Sequence, residues 1–149
     1  MYEKVILPTD GSECADRGIK EGLEMARTLG VKAVAVYVID ASEFEGIHHS
    51  SIRQSARRGL KDAGKEALND VREMATELGV ELETRIEEGK PFKEITKLAG
   101  ENDVIYISSH GLSGWNSLFM GSTTEKVLKN AKATVSVVMG GYTTEEENE

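Results

Sequence analysis

The sequence predicts one doubly wound α/β domain, a parallel sheet with helices on both faces. Two observations carry this. Short runs rich in valine and isoleucine alternate along the chain with longer stretches whose apolar residues recur every three or four positions. At 149 residues, with 39% hydrophobic and 30% charged residues intermixed, the chain has room for one packed core and none for a second full domain.

Lys4 to Pro8 (KVILP) reads as a buried strand running into the turn residues Thr9-Asp10-Gly11-Ser12. Ser12 stands as the N-cap of a helix whose inner face is Ala15, Ile19, Leu23, Ala26 and Leu29, with Gly30 at its C-cap. Lys32 to Asp40 (KAVAVYVID) is the second buried strand, since so short and valine-rich a run favours extended backbone. Ala41 to Ser51 has no periodicity and is expected as a mobile loop. Ile52, Ala56, Leu60, Ala63, Ala67, Val71, Met74 and Leu78 then define one long amphipathic helix closed by Gly79. Val80 to Ile86 (VELETRI) alternates apolar with polar residues and suits a sheet-edge strand. Gly89 and Pro91 mark a turn and a helix start, with Phe92, Ile95 and Leu98 facing inward. Asp103 to Ser109 (DVIYISS) is the fourth strand, followed by a glycine-bearing loop from His110 to Gly121. Ser122-Thr123-Thr124-Glu125 has the form of a capping box and opens the last helix through Val127 and Leu128. Thr134 to Met139 (TVSVVM) is the fifth strand, and Thr143 to Glu149 is an acidic tail expected to be disordered, which sets the domain at residues 1–142.

Eighteen Lys and Arg against 26 Asp and Glu give a net charge of −8. That argues against nucleic acid or an anionic membrane as the main partner, since both are bound by basic surfaces. Four of the acids, Glu145, Glu146, Glu147 and Glu149, sit in the tail. The single Cys14 has no disulfide partner, no zinc-type Cys/His spacing occurs, and neither a signal peptide nor an apolar run near the ~18 residues of a membrane span is present. The expected location is cytoplasmic.

In sheets of this class, ligands bind beyond the C-terminal strand ends where the strand order reverses. The segment SSHGLSGWNSLFMGST, Ser108 to Thr123, is a strand end, a glycine loop and a helix start. A helix N-terminus offers unpaired N–H groups and about half a positive charge, and glycines let backbone approach a ligand, so the unit is a candidate phosphate site. Equally, Gly111 and Gly114 serve as turn residues and Ser122 as a cap with no ligand involved. A Walker loop is excluded because no lysine precedes Ser122, and a dinucleotide fingerprint because only Gly11 follows the first strand.

With the opening Val5 to Ser12, the strand end Tyr37-Val38-Ile39-Asp40 and this loop, the chain resembles the universal stress protein family over nearly its whole length. The nucleotide-binding subgroup carries Gly-x2-Gly-x9-Gly-Ser/Thr after the fourth strand; here the frame reads Ser108-x2-Gly111-x9-Gly121-Ser122. The resemblance implies a five-stranded sheet of order 3-2-1-4-5 with a crevice between strands one and four. It implies that Asp10 accepts ribose hydroxyls, that Pro8, Thr9 and the backbone at Val38 frame adenine, and that Gly111, Gly121, Ser122 and Thr123 hold phosphates. Ser109, His110 and Gly114 belong to the same loop, with His110 shaping it or touching ligand. Ser108 departs from the pattern, placing a Cβ and hydroxyl where the family has glycine, and no Lys or Arg occurs from Ser108 to Thr124.

The implied ligand is AMP, ADP or ATP, with Mg or Mn in the triphosphate case. The implied role is sensing or buffering of nucleotide in a stress response, signalled through a homodimer built on the last strand or through an unidentified protein partner. No catalytic residue is assigned, and at most slow ATP hydrolysis is expected, because phosphoryl transfer needs a base and cationic stabilisation that this loop lacks. The alternative is a stress protein of the same fold that binds no nucleotide and acts through protein contacts.

Outside the loop, His48-His49 lacks further metal ligands nearby, and Cys14 reads as a small structural residue. Trp115, Leu118, Phe119 and Met120 are expected to cover the site or a dimer surface. Arg53, Arg57, Lys61 and Lys65 form a basic stripe, followed by an acidic one at Asp62, Glu66, Asp70, Glu73 and Glu77; both read as solvated faces or a partner surface.

Overall fold

Alternating strands and helices assemble as the sequence implies, in a computed structural model that describes residues 1–110 and 120–139. Expectations for Gly111, Gly114, Trp115, Leu118, Phe119 and the tail from Thr143 lie outside the described residues. The strands are β1 (Lys4–Pro8), β2 (Lys32–Ile39), β3 (Leu82–Glu88), β4 (Asp103–Ser108) and β5 (Thr134–Val138). The helices are α1 (Glu13–Leu29), α2 (Ser50–Leu78), α3 (Pro91–Leu98) and α4 (Ser122–Asn130). All strand pairs are parallel, in the order β3-β2-β1-β4-β5.

Strand alternation sends side chains to two cores. Val5, Leu7, Ala33, Ala35, Tyr37 and Val104 meet α1 and α2 through Ile19, Leu23, Leu68 and Val71. Ile6, Val34, Val36, Ile105 and Ile107 meet Ile95 of α3 and Val127 of α4 on the other face. Each fully buried leucine or isoleucine contributes about 1.5–3 kcal/mol through removal from water. Such double-faced burial is why β1 and β2 read as continuous apolar runs.

Helix ends follow local chemistry. The Ser12 hydroxyl accepts from the Ala15 N–H to start α1, and Gly30 and Gly79 close α1 and α2 at φ 67° and 69°, a left-handed conformation that side chains resist.

Several local expectations are corrected. The stretch after β2 is not without structure: a 3-10 turn at Ala41–Phe44, started by the Asp40 carboxylate on the Ser42 N–H, buries Phe44, so an isolated aromatic anchors what lacks periodicity. Ile52 is 56% exposed, because the first turns of α2 extend past the sheet. Ala63 also faces out, and Gly64 takes the inner position because Tyr37 lies across it, with a Cβ there only 2.6 Å from the ring. The third strand begins at Leu82 rather than Val80, since the Val80 N–H is held by the Ala75 carbonyl in the closing turn of α2.

Candidate functional site at the switch point

At the top of the sheet β1 and β4 part. Their pairing ends at Ile6 with Ile105, whereas β1 continues with β2 up to Pro8 with Val36, and β4 with β5 up to Ser108 with Val138. The strands part above Ile6 and Ile105, where the order reverses and where sheets of this class have their ligand crevice.

One wall is the turn after β1. Pro8 and Val38 are half-buried, and buried Thr9 is anchored through its N–H to the Val36 carbonyl, 2.9 Å, while its hydroxyl accepts from the Gly11 N–H. The Asp10 Oδ1 accepts from the Ser12 N–H at 3.0 Å and from the Ser12 hydroxyl at 2.6 Å, so the residue that caps α1 also orients this carboxylate. The surroundings are acidic. Partial burial raises the Asp16 carboxyl above its usual range; Lys20 opposes this, and Asp70, Glu13 and Asp10 add to it. Burial likewise raises the Tyr37 hydroxyl, with Glu43 and Asp10 contributing.

The opposite wall joins β4 to α4. The Ser109 carbonyl accepts from the Gly121 N–H at 2.7 Å, and the Ser108 carbonyl from the buried Thr124 hydroxyl at 2.9 Å, so the excursion between them starts and ends at one point. The fully buried Ser109 holds its hydroxyl 2.9 Å from His110 Nδ1. Thr124→Val should lower stability by about 1–2 kcal/mol, because it keeps the shape and strands a buried carbonyl. Chemical denaturation reads this, and an unchanged midpoint would refute the staple.

The capping box does not form. Gly121, at φ −60° and ψ 148°, is the N-cap of α4 and provides no side-chain cap bond; Ser122 sits one position inside the helix. The physical reason is the Ser109 bond, which fixes Gly121 as the last extended residue and makes its carbonyl the first helical acceptor, for Glu125. Ser122 is exposed and Thr123 half-buried, and among the described residues no side chain caps the first-turn N–H groups.

Ser108 is buried and points away from the crevice wall into α1: its hydroxyl accepts from the Gly18 N–H at 3.1 Å and lies 3.4 Å from the Ala15 carbonyl. The structure therefore brings Pro8, Thr9, Asp10, Ser109, His110, Gly121, Ser122 and Thr123 to the C-terminal ends of β1 and β4, with Val38 at the end of β2, and leaves the Ser108 side chain in the packing. Sequence reasoning missed the Ser12 bond to Asp10, for which the only signal was the Asp-x-Ser spacing. Among the described residues no three His, Cys, Asp or Glu side chains converge as a metal group, and no helix is long and apolar enough to cross a membrane.

A five-stranded parallel sheet whose order reverses between β1 and β4, with helices on both faces and the α4 N-terminus at the C-terminal strand ends, defines an α/β protein of the doubly wound class. Residues 1–139 match the pattern of the Universal stress protein family, and the chain belongs to that family. It is 35% identical over 140 residues to Universal stress protein MJ0531 of Methanocaldococcus jannaschii, covering 93% of this chain and 82% of that one. The solved structure of MJ0577 from the same organism superposes with a TM-score of 0.80 at 26% identity, over 96% of this chain and 99% of the other. The Archaeoglobus fulgidus universal stress protein in complex with dAMP shares the fold, with a TM-score of 0.63 at 20% identity, over 92% and 97%.

Proposed function

We propose that the crevice binds an adenine nucleotide, AMP, ADP or ATP, and that the protein senses or buffers it and signals through a homodimer joined at β5. The uncapped start of α4 carries the reading: its N–H groups and the Ser122 and Thr123 hydroxyls can hold phosphate without any cationic side chain. Asp10, oriented by Ser12, suits ribose hydroxyls, and Pro8, Thr9 and Val38 suit the base. The dAMP-bound relative supports the ligand class. Ser108 stands at the motif's first glycine, and its hydroxyl, turned into α1, supports a phosphate position that this side chain does not occupy. For the dimer, β5 is an edge strand of half-buried valines, with Met139 beyond it 58% exposed.

AMP, ADP and ATP, the last with and without Mg or Mn, are to be titrated against thermal unfolding. At about a hundredfold excess over Kd, linkage stabilises by about 2.7 kcal/mol. For a chain of this size that raises Tm by about 5–10 °C. Ser122→Asp should leave the helix intact, since an acid at its start suits the dipole, yet abolish the nucleotide shift by repelling phosphate; Gly121→Val should abolish it sterically. No shift with any nucleotide at millimolar concentration would refute the reading. It would favour action through protein contacts alone, which the acidic surroundings of Asp10 and the lack of Lys or Arg from Ser108 to Thr124 would then explain.

A further inference from the structure

Cations of α2, those of the basic stripe and Arg72 beyond it, meet different surroundings. Arg53 is spent on the Ile47 carbonyl, and Arg57 on Glu88 at 3.0 Å and on the Phe44 ring. Lys65 and Arg72 instead line a groove of about 380 Å³ between α2 and β3, with Leu68, Asn69, Thr84 and Ile86. Arg72 donates one bond to the Thr84 hydroxyl, 2.9 Å, and Lys65 has no partner among the described residues. Of the acidic stripe, Asp70 lies toward α1, where it acts on Asp16.

Among the described residues the groove runs beside an open sheet edge, since β3 ends the strand order. The Ala33 N–H bonds the Glu81 carbonyl and the Gly89 N–H bonds the Ile39 carbonyl. In a parallel ladder of this register, Glu83, Arg85 and Glu87 therefore turn their backbone groups to β2, and Leu82, Thr84 and Ile86 turn theirs outward. The acids along β3 are already engaged: Glu83 with Lys32 and Arg85, Glu87 with Arg85, Glu88 with Arg57.

We infer that this edge accepts an extended acidic segment of a partner protein as a sixth strand, its backbone pairing with Leu82, Thr84 and Ile86 and its carboxylates meeting Lys65 and Arg72. Alternating donors and acceptors match a peptide backbone, whereas a phosphate polymer offers mainly acceptors. A second copy is disfavoured by charge: a two-fold pairing of β3 with β3 would set the basic flanks of both α2 helices face to face. The charged edge thus discourages self-association while leaving an acidic strand a place.

The test uses the full chain and two capped heptapeptides, alternating Glu-Val and alternating Lys-Val, followed by fluorescence anisotropy at low and physiological salt and by amide hydrogen exchange. The acidic peptide should bind, more weakly as salt rises, and slow exchange at Leu82, Thr84 and Ile86 specifically. Lys65→Glu, at an exposed position, should weaken binding at least tenfold with Tm unchanged. Thr84→Pro, which removes an outward N–H and the hydroxyl bonded by Arg72 but no bond to β2, should abolish it, whereas Thr84→Val, which removes the hydroxyl alone, should not; should the proline variant fail to fold, Lys65→Glu and the exchange pattern decide. Equal binding of both peptides, indifference to Lys65→Glu, or protection elsewhere would overturn the inference. So would slowed exchange at these amides on raising protein concentration alone, which would mark a second copy, or acidic-peptide binding seen only after removal of residues 143–149, which would give the edge to the chain's own tail.

Discussion

Gly22→Ala is expected to destabilise the protein by about 2–3 kcal/mol, where an exposed helix glycine replaced by alanine would gain up to about 1 kcal/mol. The reversal comes from packing. A Cβ at Gly22 would overlap the Leu7 Cδ2 methyl, which is fully buried, and come within 2.9 Å of Tyr106 Cβ. Neither neighbour has room to yield, because Leu7 is enclosed by the core and Tyr106 is held at its Cβ by the β4 backbone. The urea midpoint should fall at constant slope, and a midpoint equal to or above that of the parent would show that α1 sits farther from the sheet than described.

One turn earlier, Gly18→Ala should cost about 1–3 kcal/mol, since its Cβ would stand 2.7 Å from Ser108 Oγ and 3.0 Å from Ser108 N. Ser108→Ala alone should cost about 1–2 kcal/mol through the lost hydroxyl bond to Gly18. Combined, the two should cost less than their sum by about 1 kcal/mol, because the second change removes the atom with which the first collides. Strict additivity in the double-mutant cycle would contradict the contact. The cycle also bears on the site. If the Ser108 hydroxyl is occupied with α1, Ser108→Ala should leave any nucleotide-induced rise in Tm intact, whereas Ser122→Asp removes it.

Gly18 and Gly22 together explain how the crevice gets its shape. Lying on one face of α1, they let the helix approach β4 closely, which brings the Ser12 cap and the Asp10 carboxylate over the point where β1 and β4 diverge. Ser12 then serves the helix and the carboxylate at once. Its loss would loosen both, so Ser12→Ala separates poorly into folding and binding effects and is a weaker test than Ser122→Asp.

Much of this architecture was legible in the residues. The valine-rich runs of β1, β2 and β4, the periodic face of α1 and the closing glycines Gly30 and Gly79 act through local backbone preference and through burial on both sheet faces, and both leave a mark in neighbouring positions. The Phe44 turn and the glycine at position 64 were not legible, because each depends on a partner far along the chain, Phe44 on the α2 core and Gly64 on the Tyr37 ring; the start of β3 is set nearby, by the Val80 N–H closing α2 on the Ala75 carbonyl, a bond that the apolar alternation does not reveal.

The candidate site divides in the same way. The sequence by itself determined that a glycine loop and a helix start follow the fourth strand, that Asp10 and Ser12 form a turn after the first, and that no cationic side chain lies between Ser108 and Thr124. Only the tertiary structure decided that Gly121 rather than Ser122 caps α4, that the Ser108 hydroxyl faces α1, and that Lys65 of the basic stripe, with Arg72 beyond it, borders a groove at the β3 edge while Arg53 and Arg57 do not. A hydroxyl or a cation can take any of several partners, and which one it takes depends on the relative placement of strands and helices, which sequence spacing does not encode.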